Sequence, residues 1–257
     1  MLHMKNGKKL LMVLFAVFML TGCASKDLKD AYNKMSVGDG KNQVNGYSLS
    51  IRLFGLYNDE KINQSIRVQN YLGENFKVVD SSSTETTYYV IDGVNYKSVA
   101  TDTSTDATKQ STYKTATGAD ETGFGSTKVA TTYEETKDDV PFINTDLYLT
   151  SLKSAKKIGD ATEEKIGDLT YTTYEYTVTK KNMVKILVGS ALEDIKFTAD
   201  VPAKVWIDSD GYVYKIEYDL ATGIDSDSTL SLNVYYNAIG SANEITVDDL
   251  NLGNDKK

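Results

Sequence analysis

The sequence predicts an α+β fold: one antiparallel sheet of about ten strands curling around two or three short helices. Three observations predict it. From Gly46 onward, apolar and polar residues alternate over most of the chain, the period of strands with one covered face. Short stretches of helical spacing interrupt that alternation. The chain of 257 residues holds 18 tyrosines and only two prolines, Pro141 and Pro202, and tyrosine richness with little proline suits half-exposed strands.

The elements follow in order. Leu28, Ala31, Tyr32 and Met35 form one apolar stripe at helical spacing, and Gly38-Asp39-Gly40 ends it. Tyr47, Leu49, Ile51 and Leu53 then alternate with Ser48, Ser50 and Arg52; Ile66 and Val68 alternate with Arg67 and Gln69. Residues 74–80 and 87–91 read as strands, and Asp92-Gly93 between apolar runs is a hairpin signal. Residues 100–127 are rich in Thr, Ser, Asp and Gly and read as an exposed insertion. Lys128 to Glu134 reads as a strand. Leu147, Tyr148, Leu152 and Ala155 mark a second helix that ends near Gly159. Leu169 to Thr179 alternates again, with Tyr174, Tyr176 and Val178 on one side. Met183, Ile186, Leu187 and Ala191 suggest a third helix, followed by strands over 195–207, 212–220 and 228–239.

The turn at Asp208-Ser209-Asp210-Gly211 sets a register for its hairpin. Pairing Ile207 with Tyr212 places Val205 opposite Tyr214 and Ala203 opposite Ile216, all six on one face. Lys204, Trp206, Lys215, Glu217 and Asp219 take the other face, with Lys204 directly opposite Lys215.

The N-terminus has the layout of an export signal. Lys5, Lys8 and Lys9 precede the apolar run Leu10 to Leu20, and Leu20-Thr21-Gly22-Cys23 reads as a bacterial lipobox around the chain's one cysteine. The apolar run is too short to cross a ~30 Å bilayer, which needs ~20 residues. The expectation is a signal peptide over 1–22, cleaved before Cys23, whose sulfur carries a diacylglycerol and, with palmitate, anchors the chain to the extracytoplasmic face of the cell membrane. A tether and short helix occupy 23–45, and one domain spans 46–257 with the insertion 100–127. A single acyl chain binds marginally, whereas two or more hold firmly.

Charge and composition exclude several functions. The whole chain carries −8, and residues 1–22 hold three lysines and no acids, so the chain from Cys23 onward carries −8 less 3, or −11. That balance argues against nucleic-acid phosphates as partners. The one histidine is His3, inside the signal. No imidazole or free thiol then remains for Ser-His-Asp or Cys-His catalysis or for a His/Cys zinc site. No catalytic residue, metal ligand or cofactor is assigned, and the protein is expected not to be an enzyme. Asp208, Asp210 and Gly211 echo a calcium loop but lack its spaced acids and closing glutamate, and read as turn chemistry. Glu163 and Glu164 read as a loop pair, and Asp225 and Asp227 as a solvated loop.

A resemblance enters over residues 165–220. Ile166-Gly167-Asp168-Leu169-Thr170-Tyr171-Thr172-Thr173-Tyr174-Glu175-Tyr176-Thr177, a short helix, then Val205-Trp206-Ile207-Asp208 leading through Gly211 into Val213-Tyr214-Lys215-Ile216, behind a lipobox, resembles the LolA-like and LppX/LprG-type lipoproteins. That resemblance implies an open half-barrel with helices against its concave face, and a concavity that takes an acyl chain or another apolar ligand for lipid or lipoprotein carriage. Ile51, Leu53, Ile66, Val68, Val205 and Ile216 would line it. The same apolar residues suit a packed core equally, which would leave a non-catalytic sensor or a protein that binds an envelope partner.

Overall fold

The structure, a computed structural model, describes residues 25–101 and 130–250 with Leu252, apart from positions 39, 42, 83, 84, 154, 156 and 225–227. Cys23 and the lipobox lie outside the described residues, as do the Thr-rich insertion from residue 102 onward and Asp225 and Asp227.

Eleven strands form one open antiparallel sheet: β1 (Gly46–Tyr57), β2 (Glu60–Tyr71), β3 (Asn75–Asp80), β4 (Thr86–Ile91), β5 (Val94–Thr101), β6 (Ala130–Glu135), β7 (Lys157–Ile166), β8 (Leu169–Val178), β9 (Val201–Ile207), β10 (Val213–Asp219) and β11 (Ser231–Asn237). Their order is β6-β5-β4-β3-β2-β1-β11-β10-β9-β8-β7. Two runs of sequential neighbours therefore meet at a single long-range pair, β1 against β11, where Leu49 faces Tyr236, Ile51 faces Val234 and Leu53 faces Leu232. β6 and β7 are the free edges. The α-helices among the described residues are α1 (Lys26–Lys34), α2 (Asp146–Lys153), α3 (Lys180–Ile186) and the single turn α4 (Leu220–Gly223).

The sheet curls around α1, α2 and α3, and its inner face packs against them. α1 contributes Leu28 and Ala31, with Met35 just beyond it. α2 contributes Tyr148, Leu149 and Leu152, and α3 contributes Met183 and Ile186. α3 starts at Thr179, whose hydroxyl accepts the amide of Asn182, a standard cap for an otherwise orphaned donor. These side chains join the inward residues of β1–β3 and β8–β11 in one continuous core. α1 is thus part of the half-barrel's own interior.

The β9–β10 register differs from the one the turn suggests. Ile207 pairs with Val213, but Lys215 pairs with Trp206, Ile216 with Val205, Glu217 with Lys204 and Tyr218 with Ala203. A β-bulge between Val213 and Lys215 absorbs one residue. Val213 therefore faces inward in place of Tyr212 and Tyr214, while Ile216 and Tyr218 keep the inner face, and Lys204 meets Glu217 rather than Lys215. The turn itself is held as expected: a carboxylate oxygen of Asp208 accepts the amides of Asp210 at 2.9 Å and Tyr212 at 2.8 Å.

Two other expectations change. Residues 157–166 form β7, so Gly159, Glu163 and Glu164 lie in an edge strand rather than at a helix end and in a loop. Residues 195–200 are irregular, and the strand starts only at Val201.

A second, smaller core sits on the outer face. Tyr89, Ile91 and Tyr96, with Tyr71 and Tyr133 beside them, pack under Ile245 and Leu250 of the C-terminal segment. That segment is pinned by side-chain amides: Asn45 donates to Ala242 O at 3.2 Å, Gln69 to Asn243 O at 2.9 Å and Asn75 to Ile245 O at 2.9 Å.

Candidate functional site

The structure brings all six predicted wall residues together on the inner face. Ile51 pairs with Ile66 and Leu53 with Gln64 across β1–β2, Val68 sits opposite Leu49, and Val205 pairs with Ile216 across β9–β10. Each keeps 0–1% of its surface accessible. A side chain lining a void wide enough for an acyl chain would show area to a water-sized probe. These do not, so side chains fill the space beside them.

The filler is largely tyrosine. Tyr47, Tyr148, Tyr176, Tyr218 and Tyr236 are all buried between the strands and α2. Tyr47 and Tyr236 meet edge to face with ring centres 5.3 Å apart, and Tyr148 and Tyr218 lie 6.4 Å apart. Their hydroxyls fare unequally. Tyr47 reaches Thr145 at 3.3 Å, and Asn70 donates to the same threonine hydroxyl at 3.1 Å. Tyr176 lies 3.5 Å from the Ser151 hydroxyl. The Tyr236 hydroxyl is buried with no hydrogen-bond partner. Burial pushes the Tyr47 phenol up to about 12 and raises Tyr148, Tyr176, Tyr218 and Tyr236 as well, because a phenolate there would lose its water. None of these groups is placed to act as an acid or base near neutral pH.

Sequence reasoning named the aliphatic wall and placed Tyr174 and Tyr176 on one side, but missed the tyrosine filling as a whole. Its signal is parity: Tyr47 is in phase with Leu49 and Ile51, Tyr218 with Ile216, and Tyr236 with Val234 and Leu232. The outer tyrosines are a different set. Tyr171 stacks on Tyr214 at 4.6 Å, and Tyr214 meets Tyr235 at 6.1 Å. Beside them, Lys204 and Lys215 lie over the ring of Trp206, at 4.8 and 4.4 Å from its centre.

Clefts lined by described residues open elsewhere. One lies between the β1–β2 turn and residues 190–195, one beside the turns at 168–170 and 208–210, and two on the outer face. Of the six wall residues only Val68 borders any of these four, at an outer-face cleft. Among the described residues there is no group of three or more His, Cys, Asp or Glu placed to hold a metal, and no helix is long and apolar enough to cross a membrane.

No protein-family model and no curated protein matches the chain. Solved structures do. LprF from Mycobacterium bovis is 11% identical, matching 88% of this chain and 98% of its own with a TM-score of 0.46. The lipoprotein LppX from Mycobacterium tuberculosis is 13% identical, matching 86% of this chain and 98% of its own, with a TM-score of 0.35. A LolA superfamily protein from Nitrosomonas europaea is 12% identical, with coverages of 88% and 96% and a TM-score of 0.28. LppX and the LolA superfamily are among the names that the sequence resemblance gave.

Proposed function

We propose that the chain is a lipid-anchored, non-catalytic protein of the extracytoplasmic membrane face. Its half-barrel holds a packed interior, and it acts by binding at its surface, as a sensor or as the partner of another envelope component. One observation carries the packed-interior reading: the six wall residues keep 0–1% of their surface. The anchor rests on the lipobox at Cys23, the chain's one cysteine. The test uses the Cys23→Ser protein, expected in the extracytoplasmic fraction without sedimenting with membranes. Native mass spectrometry should find it free of co-purified lipid, and Ile66→Trp or Val205→Trp should lower its melting temperature by overpacking, at a cost of about 1–3 kcal/mol. Membrane sedimentation of Cys23→Ser would overturn the anchor; co-purified lipid would overturn the packed interior.

A second reading, an acyl chain held in the concavity, is favoured by the Tyr236 hydroxyl. A buried hydroxyl without a partner costs about 1–3 kcal/mol, so a state in which an ester or carboxyl group meets it would recover that cost. In that case α2 and the tyrosines would have to shift to admit the chain, and Ile66→Trp or Val205→Trp would lower fluorescent-lipid uptake while leaving the melting temperature unchanged.

A further inference from the structure

The outer face over β1, β2 and β11 carries a cleft of about 540 Å³, within the ~300–1,000 Å³ range of small-molecule sites. Its lining combines three kinds of group. Arg52 and Lys61 supply two cations, and among the described residues no acid lines the cleft, although the chain as a whole carries 36 acids against 28 Lys and Arg. Phe54 follows Arg52 along the outward side of β1 and Leu56 sits directly opposite Lys61, with 41% and 46% of their surface exposed. Asn233 of β11 forms part of the lining; it keeps only 8% of its surface, and its amide oxygen has no hydrogen-bond partner.

Three other outward cations are paired with acids. Arg67 pairs with Glu85, Lys204 with Glu164 and Lys215 with Glu217. Glu217, the cross-strand neighbour of Asn233, is therefore occupied by Lys215. Arg52 and Lys61 have no ion pair among the described residues. The cleft's shape depends on Gly55, whose φ of +136° and closeness to the Thr229 carbonyl leave no room for a Cβ. A guanidinium and an ammonium without an ion pair among the described residues select an anion, and a guanidinium favours the planar or tetrahedral oxyanions it can meet with two parallel N–H groups. Exposed Phe and Leu beside them select an apolar continuation of the same ligand.

We propose that this cleft binds an anionic amphiphile: a phosphate ester whose charge meets Arg52 and Lys61 and whose apolar part lies on Phe54 and Leu56. The unpartnered amide of Asn233 takes a hydroxyl of the ligand. The proposal deepens the surface-binding reading by naming its ligand class. It fails separately from the packed-interior test, because it involves none of the six inner wall residues. Such a ligand has two sources, a phospholipid in the bilayer or a free phosphate ester, and the test separates them.

The mature Cys23→Ser chain is titrated by calorimetry with decyl phosphate below its micelle-forming concentration, and with decyltrimethylammonium as the cationic counterpart. Decyl phosphate should bind and decyltrimethylammonium should not. Arg52→Gln with Lys61→Gln should weaken decyl phosphate about tenfold or more, the loss expected for charge-assisted hydrogen bonds. Phe54→Ser with Leu56→Ser should weaken decyl phosphate but leave the weak binding of inorganic phosphate unchanged. Asn233→Ala should lower affinity while holding or raising the melting temperature, which a purely structural amide would not do. Equal binding of the cationic probe, or full binding by the Arg52→Gln/Lys61→Gln chain, overturns the proposal. Once the charge dependence is established, flotation with phosphatidylglycerol but not phosphatidylcholine vesicles, lost in that double variant, assigns the phosphate to the bilayer. Decyl phosphate binding without flotation assigns it to a free ester.

Discussion

Ile51 and Arg52 are neighbours on β1 with opposite surroundings, and so are Leu53 and Phe54. The odd residues lie under the helices with almost no accessible surface; the even ones face outward, Arg52 exposed and Phe54 with 41% of its surface open. The inner face is closed along β1–β3 and β8–β11 by helices and tyrosines. The outer face is roofed at β4–β6 by the C-terminal segment and is open over the β1, β2 and β11 cleft. One sheet thus does two jobs: one side supplies cooperativity, and the uncovered part of the other is free to carry a ligand without repacking the fold.

The strongest way to break this contrast is alkali. In the folded chain the phenol of Tyr47 is pushed to about 12, against about 10 when exposed, and the other inner tyrosines are raised too. A raised folded value means the neutral form is the stabilising one. Its contribution is full below pH 10 and is lost as the pH climbs through about 12. The inner tyrosines should therefore ionise only together with loss of the fold. Tyrosinate absorbance and circular dichroism followed in one titration check this. Full ionisation with the circular dichroism intact would show that water reaches the inner face.

Next in size is a pair of substitutions at adjacent residues. Leu53→Ala removes buried volume from the inner face and should cost about 2–5 kcal/mol. Phe54→Ala, one residue along and facing out, should fall within about 0.5 kcal/mol of the parent. Denaturant midpoints compared at unchanged slope measure both. Similar losses at the two sites would mean that the outer cleft is part of the packed fold.

How far this contrast was legible in the sequence depends on what period two can carry. It places Ile51, Leu53, Ile66 and Val68 on one face because the alternation there is unbroken. It fails at Tyr212-Val213-Tyr214, where both phases offer a large residue and the choice is made by a bulge rather than by pattern. It misses β7, whose residues are mostly exposed and whose extended form comes from pairing with β8 as a sheet edge. It also misses the C-terminal roof, which has few apolar residues and is held by three amide side chains, from the residue before β1 and from β2 and β3. The outer cleft joins Arg52, Lys61 and Asn233 from three strands, so no local spacing announces it. Alternation puts the six residues on the inner face, where they are buried; whether that face is hollow or filled depends on tyrosine rotamers, which alternation does not encode.

Tyr236→Phe sharpens the inner-face argument with an opposite sign. It deletes a hydroxyl that has no partner and changes the ring packing on Tyr47 little. The expected result is a gain of up to about 1 kcal/mol, or none. A loss of stability would mean that the hydroxyl is bonded in solution, by water or by a bound molecule, and would strengthen the ligand-in-the-concavity reading.

The smallest effect belongs to the outer face, at Lys204 and Glu164. Their charged ends lie 2.8 Å apart, with a third or more of each side chain exposed. The hydrogen bond from Lys204 holds the Glu164 carboxyl below the usual carboxylate range. The depressed value means the pair stabilises above the ordinary glutamate pKa and is lost as the pH falls through the folded one. Exposed pairs of this kind contribute about 0.2–1 kcal/mol and fade with salt. Glu164→Gln should therefore cost a few tenths of a kcal/mol in low salt and nothing measurable in high salt. Because Lys204 also covers the ring of Trp206, the variant should shift tryptophan fluorescence even where stability barely moves. A salt-independent loss approaching that of Leu53→Ala would show that the Trp206 side of the sheet is buried in solution, under another copy or a partner, and would erase the difference between the two faces.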